Sequence, residues 1–284
     1  MSDSDARRAD DSTQDRPTAD QTGLPPAVSI DLRESLQTYW LDRARQHTLD
    51  SYVGLPLSKF PEDLRVYEHL LWTSRSDTVI EIGAQFGASA LWFRDRLRAF
   101  AQYRRIARVH VISIDIDTEA ARTNIASLDP DYAADITLIN GDVCDPAVAE
   151  QVTTTVPHGS RCLVVEDSAH VYETTWAALT NYSHLVPMGG YFVVEDGCID
   201  VDEMRLSEEW PRGVLPALRN WLSTPQGARF SVCRGLELYG ISCHPFGFLQ
   251  RTAADVISPE AVDRAHAAPL RAGGHPTNPP RRAL

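Results

Sequence analysis

Two acidic segments in this 284-residue sequence could bind a divalent cation. The segment VVEDSAH contains Asp167, and the segment VVEDG contains Glu195 and Asp196. Each follows a short β-branched run that is typical of a buried strand, so the acids fall at strand ends. Carboxylate oxygens without cysteine ligands suit Mg²⁺. We predict Asp167, Glu195 and Asp196 as metal ligands, while acids that only cap helices or pair with arginines remain an alternative.

His170 follows Asp167 by three residues, in the first turn of the next predicted helix. Imidazole titrates near neutral pH and is a common general base. We therefore predict His170 and Asp167 as catalytic residues beside the metal. The alternative is a histidine that caps the helix or packs locally.

The segment EIGAQFGASA follows an earlier predicted strand and precedes a predicted helix. Its glycines permit close approach of a ligand to the backbone, and a helix N-terminus favours an anionic group. The spacing matches neither the dinucleotide fingerprint nor the phosphate loop, which disfavours NAD and ATP. Glycines that serve only strand–helix packing remain an alternative. The binding residues predicted in this loop are Glu81, Gly83, Gln85, Gly87 and Ser89.

Acidic residues also follow the next two predicted strands. Asp115 is placed to accept the ribose hydroxyls of an adenosine ligand, and Asp142 to lie near the adenine edge. Together with a glycine loop that does not fit a pyrophosphate, these acids predict S-adenosylmethionine as the cofactor. Lys59, in PLSKFPEDL, is a further candidate cofactor contact, or a solvated side chain.

The elements that must position these residues alternate between strands and helices. This alternation predicts an α/β, Rossmann-like, doubly wound sheet with helices on both faces. We expect five parallel strands and a C-terminal antiparallel hairpin, RFSVCR with LELYGIS, which makes seven strands. The predicted strands are 78–82, 109–115, 136–140, 161–166, 190–195, 229–234 and 236–242.

Composition divides the chain into one domain between two tails. We predict a disordered acidic tail over 1–28, a domain over 29–252 with an N-terminal helical cap over 29–76, and an Ala/Arg/Pro-rich tail over 253–284. Within the cap, the helical segment over 61–72 is expected to cover the carboxyl edge of the sheet.

The formal net charge of −12 and the pI near 5.2 disfavour nucleic acid as a partner. No apolar run is long enough to span a membrane, and the start lacks a signal peptide, so we predict a cytoplasmic protein. The five cysteines include no C-x-x-C pair, which predicts reduced thiols.

The glycine loop resembles that of Mg²⁺-dependent catechol O-methyltransferases, with D-x-x-H where that type carries D-x-x-K. A closer resemblance, over residues 51–252, is to the cephalosporin hydroxylase and rhamnosyl O-methyltransferase family, through SYVGLPLSKFPEDLRVYEHLLW, VISIDID, EDSAHVYE, GGYFVVEDGCID and GFLQR. Family members often have an apolar residue where Glu166 stands.

This resemblance implies a class I methyltransferase fold and a homo-oligomer. It implies Mg²⁺-dependent O-methylation of a nucleotide-linked or scaffold-bound deoxysugar in natural-product or antibiotic biosynthesis. Asp167, Glu195 and Asp196 match the metal-ligand positions of the catechol type. Two alternatives remain: a non-catalytic cofactor-binding partner subunit of a hydroxylation or methoxylation system, and an O-methyltransferase of a catechol or phenol.

Overall fold

The computed structural model describes residues 33–237 and 242–252. The predicted tails over 1–28 and 253–284 lie outside these described residues, as do 29–32 of the predicted domain. The helices are α1 (Leu36–His47), α2 (Pro61–Ser74), α3 (Ala88–Gln102), α4 (Glu119–Leu128), α5 (Pro146–Thr155), α6 (Tyr172–Tyr182) and α7 (Val214–Leu222). The strands are β1 (Ser51–Tyr52), β2 (Leu55–Pro56), β3 (Thr78–Ile82), β4 (His110–Asp115), β5 (Ile136–Asn140), β6 (Cys162–Glu166), β7 (Tyr191–Val194), β8 (Phe230–Val232) and β9 (Phe248–Arg251).

Seven of these strands form one sheet in the order β5-β4-β3-β6-β7-β9-β8. The first five are parallel, and β9 is antiparallel to both β7 and β8. This arrangement confirms the predicted α/β class, the seven strands and the antiparallel C-terminal pair.

The second strand of that C-terminal pair differs from the prediction. Leu236 ends a 3₁₀ turn, residues 238–241 lie outside the described part of the chain, and Ser242 is not in a strand. The partner of β8 is instead the later segment FLQR, with Phe230 opposite Arg251. A glycine between two β-rich segments suggested a tight hairpin, but pairing with β7 selects FLQR, because this segment matches Tyr191–Val194 in the antiparallel register.

The sheet is covered by helices on both faces, which is why its central strands are buried along their whole length. Alternate residues of each strand face opposite layers. One face packs against α5, α6 and α7 through residues such as Ile80, Val164 and Trp221. The other face packs against α2, α3 and α4 through residues such as Val79, Leu70 and Phe93.

The register places the ends of β3, β6 and β7 side by side. Ile82 lies opposite Glu166, and Glu166 lies opposite Val194. The next residues continue this pairing, since Asp167 N–H donates to the Ile82 carbonyl at 2.8 Å and Glu195 N–H donates to the Glu166 carbonyl at 2.9 Å. The acidic residues after the strands are therefore held at one edge.

The N-terminal cap consists of α1, the β1–β2 hairpin and α2. The indole Nε1 of Trp40 on α1 donates to the Met204 carbonyl at 2.9 Å, which ties the cap to the segment after β7. Among the helices of the described ranges, none combines the length and apolar character that crossing a bilayer requires.

Candidate active site

A cavity of about 690 Å³ opens at the carboxyl edge of the sheet, between the strand ends and the N-terminal cap. Its volume is within the range of small-molecule sites. It brings most of the residues singled out in the sequence to one place. Those lining it are Lys59, Gly83, Gln85, Ser89, Asp115, Asp142, Asp167, His170 and Asp196. Glu81, Gly87 and Glu195 are not part of its lining.

The loop after β3 is shaped by close backbone contacts. Gly83 has φ +108°, and a Cβ at this position would lie 1.9 Å from the Asp167 carbonyl oxygen. A Cβ at Gly87, which has φ +85°, would lie 2.7 Å from the Ile125 side chain. Both positions therefore require glycine for packing, and Gly83 brings the loop directly against the strand end that carries Asp167.

Asp115 fastens the same loop to the end of β4. Its Oδ2 accepts hydrogen bonds from Ala84 N–H at 2.8 Å and Gln85 N–H at 2.9 Å, and its Oδ1 accepts from Asp117 N–H at 3.1 Å. Asp142 Oδ1 accepts from Cys144 N–H at 2.8 Å, which closes the turn after β5. Both carboxylates line the cavity and retain lone pairs for a ligand.

Glu81 is wholly buried beneath the loop. Its Oε2 accepts from the Ser113 hydroxyl at 2.5 Å, whereas Oε1 has no hydrogen-bond partner among the described residues. Burial raises the pKa of Glu81 to about 7, although the nearby Lys59 charge opposes this effect. This buried acceptor lies beneath the loop and outside the cavity lining, with the Ser89 side chain nearby.

Lys59 also lines the cavity and lies between two of the predicted metal ligands. Its Nζ donates to Asp167 Oδ2 at 2.8 Å and to both Glu195 oxygens at 2.7 Å. Burial disfavours the ammonium, but the charges of Asp167 and Glu195 outweigh that effect and raise the pKa of Lys59. Lys59 is therefore a buried cation within the acidic cluster and not a solvated side chain. Among the described residues its hydrogen bonds go to Asp167 and Glu195, and its charge also acts on the nearby Glu81 beneath the glycine loop.

Sequence reasoning did not assign the other residues that the cap contributes here. Tyr67 on α2 donates its hydroxyl to Glu195 Oε1 at 2.5 Å. Asp63, one turn earlier on the same helix, accepts from the Ser242 hydroxyl at 2.7 Å and from Cys243 N–H at 3.0 Å. The spacing D-x-x-x-Y within α2 was the available signal for Asp63 and Tyr67, because residues four apart share one side of a helix, whereas Lys59 precedes the helix.

Asp196 and His170 complete the acidic cluster. His170 Nε2 lies 3.4 Å from Asp196 Oδ2 and 3.8 Å from Asp167 Oδ1. Burial lowers the pKa of His170, but Asp196 and Asp167 outweigh burial and raise the pKa above its ordinary value. Asp196 N–H in turn donates to His244 Nδ1 at 3.0 Å.

These oxygen donors fit a hard divalent cation. Asp167 Oδ1 and both oxygens of Asp196 are not engaged by Lys59, whereas both oxygens of Glu195 are. Donor atoms of Asp167, His170 and Asp196 lie within 4.8 Å of one another, as do donor atoms of Glu195, Asp196 and His244. Use of Glu195 as a third carboxylate ligand would require Lys59 to share or release it.

Glu166 supports the loop that presents Asp167 and His170. This carboxyl group is fully buried, and its Oε1 accepts from the Ser168 hydroxyl at 2.5 Å and from Ser168 N–H at 3.3 Å. Its Oε2 accepts from the Thr175 hydroxyl at 3.2 Å. Glu166 therefore connects the end of β6 to the start of α6.

Backbone strain concentrates in the same cavity. Of the seven non-glycine residues with positive φ in the described ranges, three line the cavity: Gln85 at 41°, His170 at 56° and Asp196 at 53°. Each follows a different strand of the sheet. Left-handed conformations at such residues cost about 1 to 3 kcal/mol and persist where surrounding structure enforces them. The strand ends are held in positions that aim side chains into the cavity.

The cap and the segment after β7 form an apolar wall. Its members are Trp40, Ala44, Leu57, Met204, Leu206 and Trp210. His47, which sequence reasoning did not assign, also lines this side, and its Nδ1 donates to the Ala44 carbonyl at 2.5 Å. Because Nδ1 carries the proton that it donates to this carbonyl, Nε2 is the proton-accepting nitrogen of the neutral ring, and burial lowers the pKa of His47.

This arrangement can be compared with known proteins. The family model described as Rhamnosyl O-methyltransferase/CmcI matches residues 45–252, which include every strand of the main sheet and the whole acidic cluster. The chain belongs to this family. A rhamnosyl O-methyltransferase of Mycobacterium bovis (strain BCG / Pasteur 1173P2) is 27% identical over 154 residues, which cover 54% of this chain and 59% of that relative. The match therefore spans less than two thirds of the relative's length.

Solved structures of the family share the fold. The N160 form of CmcI without ligand is 24% identical, with a TM-score of 0.54, over 81% of this chain and 90% of that chain. The D160 form with Mg-SAM is 23% identical, with a TM-score of 0.51, over the same shares. The family membership and the fold predicted from the sequence are thus confirmed.

Proposed function

We propose that this protein is an S-adenosylmethionine-dependent and Mg²⁺-dependent O-methyltransferase that acts on a sugar hydroxyl of a glycoside. One observation carries this proposal: a single cavity joins the glycine loop, Asp115 and Asp142 on one side to Asp167, Asp196 and His170 on the other. A methyl donor and a hydroxyl acceptor must meet in such a space.

On the cofactor side, Asp115 and Asp142 would bind the ribose and the adenine edge, and the loop from Gly83 to Ser89 would enclose the amino-acid part. The buried Glu81 Oε1, which has no partner among the described residues, supports a cationic ammonium nearby. When bound, S-adenosylmethionine supplies an electrophilic methyl group.

On the acceptor side, Asp167, Asp196 and Glu195 would hold Mg²⁺, which supplies positive charge that lowers the pKa of the acceptor hydroxyl. His170 would remove the hydroxyl proton at Nε2, and the nearby carboxylates of Asp196 and Asp167 would stabilise the imidazolium that forms. Lys59 and Tyr67 keep Glu195 fixed. The reacting groups would be positioned by the strained strand ends and by the N-terminal cap. Positioning alone can lower the activation barrier by roughly 7 to 11 kcal/mol.

The cavity wall favours particular acceptors. None of the described residues that line the cavity is an arginine, and the Lys59 ammonium is already engaged by Asp167 and Glu195. A nucleotide diphosphate would therefore find no free arginine or lysine in this lining, and the proposed Mg²⁺ would be left to offset its charge alone. A sugar attached to an apolar scaffold could place hydroxyls at the acidic cluster and its scaffold against Trp40, Leu206 and Trp210. Such glycosides are typical of natural-product pathways.

The same apolar wall also favours a second candidate function, the O-methylation of a catechol or another phenol. A flat aromatic ring would pack against Trp40 or Trp210, and two adjacent hydroxyls would reach Asp167 and Asp196. This reaction uses the same residues and differs only in the acceptor.

Transfer of labelled methyl from S-adenosylmethionine tests the proposal. The acceptors are nucleotide deoxysugars, glycosides with apolar scaffolds, and catechols, each with Mg²⁺ and with EDTA. We expect transfer to the glycosides that EDTA abolishes. Transfer only to catechols would replace the first candidate by the second. Binding of S-adenosylmethionine without transfer to any acceptor class would favour a non-catalytic partner subunit and overturn the proposal.

A further inference from the structure

Two cysteine thiols lie together beside the acidic cluster. Cys198 is in the 3₁₀ turn Gly197–Asp200 after β7, and Cys243 is in the segment that leads to β9. The Cys198 N–H donates to the Cys243 carbonyl at 3.1 Å, which holds the two backbones side by side. Both residues line the cavity, and they are only 8% and 5% exposed.

Asp196 brings a carboxylate to the same two thiols. Both Sγ atoms and one carboxylate oxygen of Asp196 lie within 4.8 Å of one another. Two sulfurs bound tetrahedrally to one zinc ion at about 2.3 Å each lie about 3.8 Å apart. Side-chain rotations that bring the donor atoms closer together by roughly 1 Å would let them share one ion.

We propose that Cys198, Cys243 and Asp196 form a site for a thiophilic divalent cation such as Zn²⁺. Sulfur donors select zinc and cadmium over magnesium, which prefers oxygen. Three protein ligands leave a fourth tetrahedral position for water or another donor, and all three ligands line the cavity.

The site is held in place before an ion arrives. Cys243 N–H and the Ser242 hydroxyl both donate to Asp63 of α2, so the segment that carries Cys243 is fastened to the cap. Cys198 is fixed by its position directly after β7. Binding exchanges the two thiol protons for the ion, so the metal is held by two thiolates and one carboxylate without any oxidation or reduction.

An ion in this site would use Asp196, which the proposed function assigns to Mg²⁺. It would remove one hard ligand from the Mg²⁺ site and inhibit methyl transfer. This consequence rests on the proposed function, whereas the binding of the ion does not.

Titration of the purified full chain with Cd²⁺ tests the site directly, in a buffer whose reductant contains no thiol and keeps the cysteines reduced. We expect a saturable ultraviolet charge-transfer band from cadmium bound to thiolate, at one ion per chain, which excess Mg²⁺ does not remove. The band should be lost in Cys198→Ser and in Cys243→Ser. It should be retained in Cys144→Ser, because Cys144 is exposed and does not line the cavity.

A band of equal size in Cys198→Ser or Cys243→Ser would overturn the proposal, as would the absence of any band in the reduced protein. Cys198→Ala and Cys243→Ala repeat the test with a different side chain, and circular dichroism confirms that each variant is folded. These results do not depend on finding an acceptor.

Where an acceptor is methylated, inhibition by Zn²⁺ provides a second measurement. The inhibitory concentration of Zn²⁺ should rise at least tenfold in Cys198→Ser and stay unchanged in Cys144→Ser. Inhibition that is equally strong in both variants would mean that Zn²⁺ acts elsewhere, and would overturn the regulatory role.

Discussion

The ammonium of Lys59 lies 2.7 Å from both carboxylate oxygens of Glu195, and Tyr67 donates to one of these oxygens from α2. Lys59 is the only lysine in the chain. The cap therefore places a buried positive charge within the acidic cluster. This charge offsets the repulsion between carboxylates, and it also competes with any second cation for the same oxygens.

Replacing Lys59 by methionine should strengthen Mg²⁺ binding at least tenfold, because it removes a positive charge that repels Mg²⁺ at the metal ligands. Without metal the variant should be destabilised by about 3 to 5 kcal/mol, since Asp167 and Glu195 lose a buried partner. Calorimetric Mg²⁺ titration and urea unfolding in EDTA measure the two effects. Lys59→Arg, which keeps the charge, is the matched control. Weaker Mg²⁺ binding in Lys59→Met would contradict competition between the two cations.

His170 should titrate above its ordinary pKa in the metal-free protein, because Asp196 and Asp167 outweigh the effect of burial. Mg²⁺ bound to these carboxylates should lower that pKa, since it neutralises the charges that raise it. Proton NMR of the imidazole with and without Mg²⁺ measures the shift. His47→Asn and His244→Asn help to assign the signal, because His47 also lines the cavity and His244 Nδ1 accepts from Asp196 N–H. An unchanged titration on saturation with Mg²⁺ would separate His170 from the metal site.

Glu81 should make the protein less stable as the pH rises. Its pKa is about 7 in the folded state, against 4.5 as the ordinary value, because it is buried. Below pH 4.5 the group is protonated in both states and contributes no pH dependence. As the pH rises towards 7, the folded state retains the proton longer, so the free energy of unfolding falls by about 3 kcal/mol in total.

Glu81→Gln removes this ionisation, so its stability relative to the native sequence should increase between pH 5.5 and 8. Urea unfolding across that range provides the measurement, and Glu150→Gln, at an exposed glutamate, is the control. Parallel stability curves for Glu81→Gln and the native sequence would show that Glu81 does not titrate there.

Glu166 should act as a positioning residue. Glu166→Gln keeps a side-chain oxygen that can accept from Ser168 and should retain most activity. Burial raises the pKa of Glu166, which favours the neutral carboxyl that glutamine resembles. Glu166→Ala leaves the Ser168 and Thr175 donors without their acceptor and should lower kcat by tenfold or more, with S-adenosylmethionine affinity changed less than threefold. Steady-state kinetics and calorimetry separate the two parameters. Equal kcat values in both variants would exclude the positioning role.

Some elements could be predicted from the sequence because their signals are local. The run TVIEI is buried on both faces, and its β-branched residues indicate a strand in the middle of a parallel sheet. The described residues of LELYGIS, which are Leu236, Glu237 and Ser242, are not in a strand, and β8 pairs with FLQR instead, because β propensity does not identify a partner. Pairing was decided by β7, whose antiparallel register accepts FLQR from the end of the domain.

The sequence by itself determined which chemistry the strand ends can perform, since acids and glycines follow buried strands and parallel strands end at one edge. It also determined the family. Only the tertiary structure decided where Lys59, Tyr67 and the paired thiols of Cys198 and Cys243 lie, because these residues come from the cap and from two distant loops. Their contacts form across large separations along the chain, where residue spacing carries no information about distance.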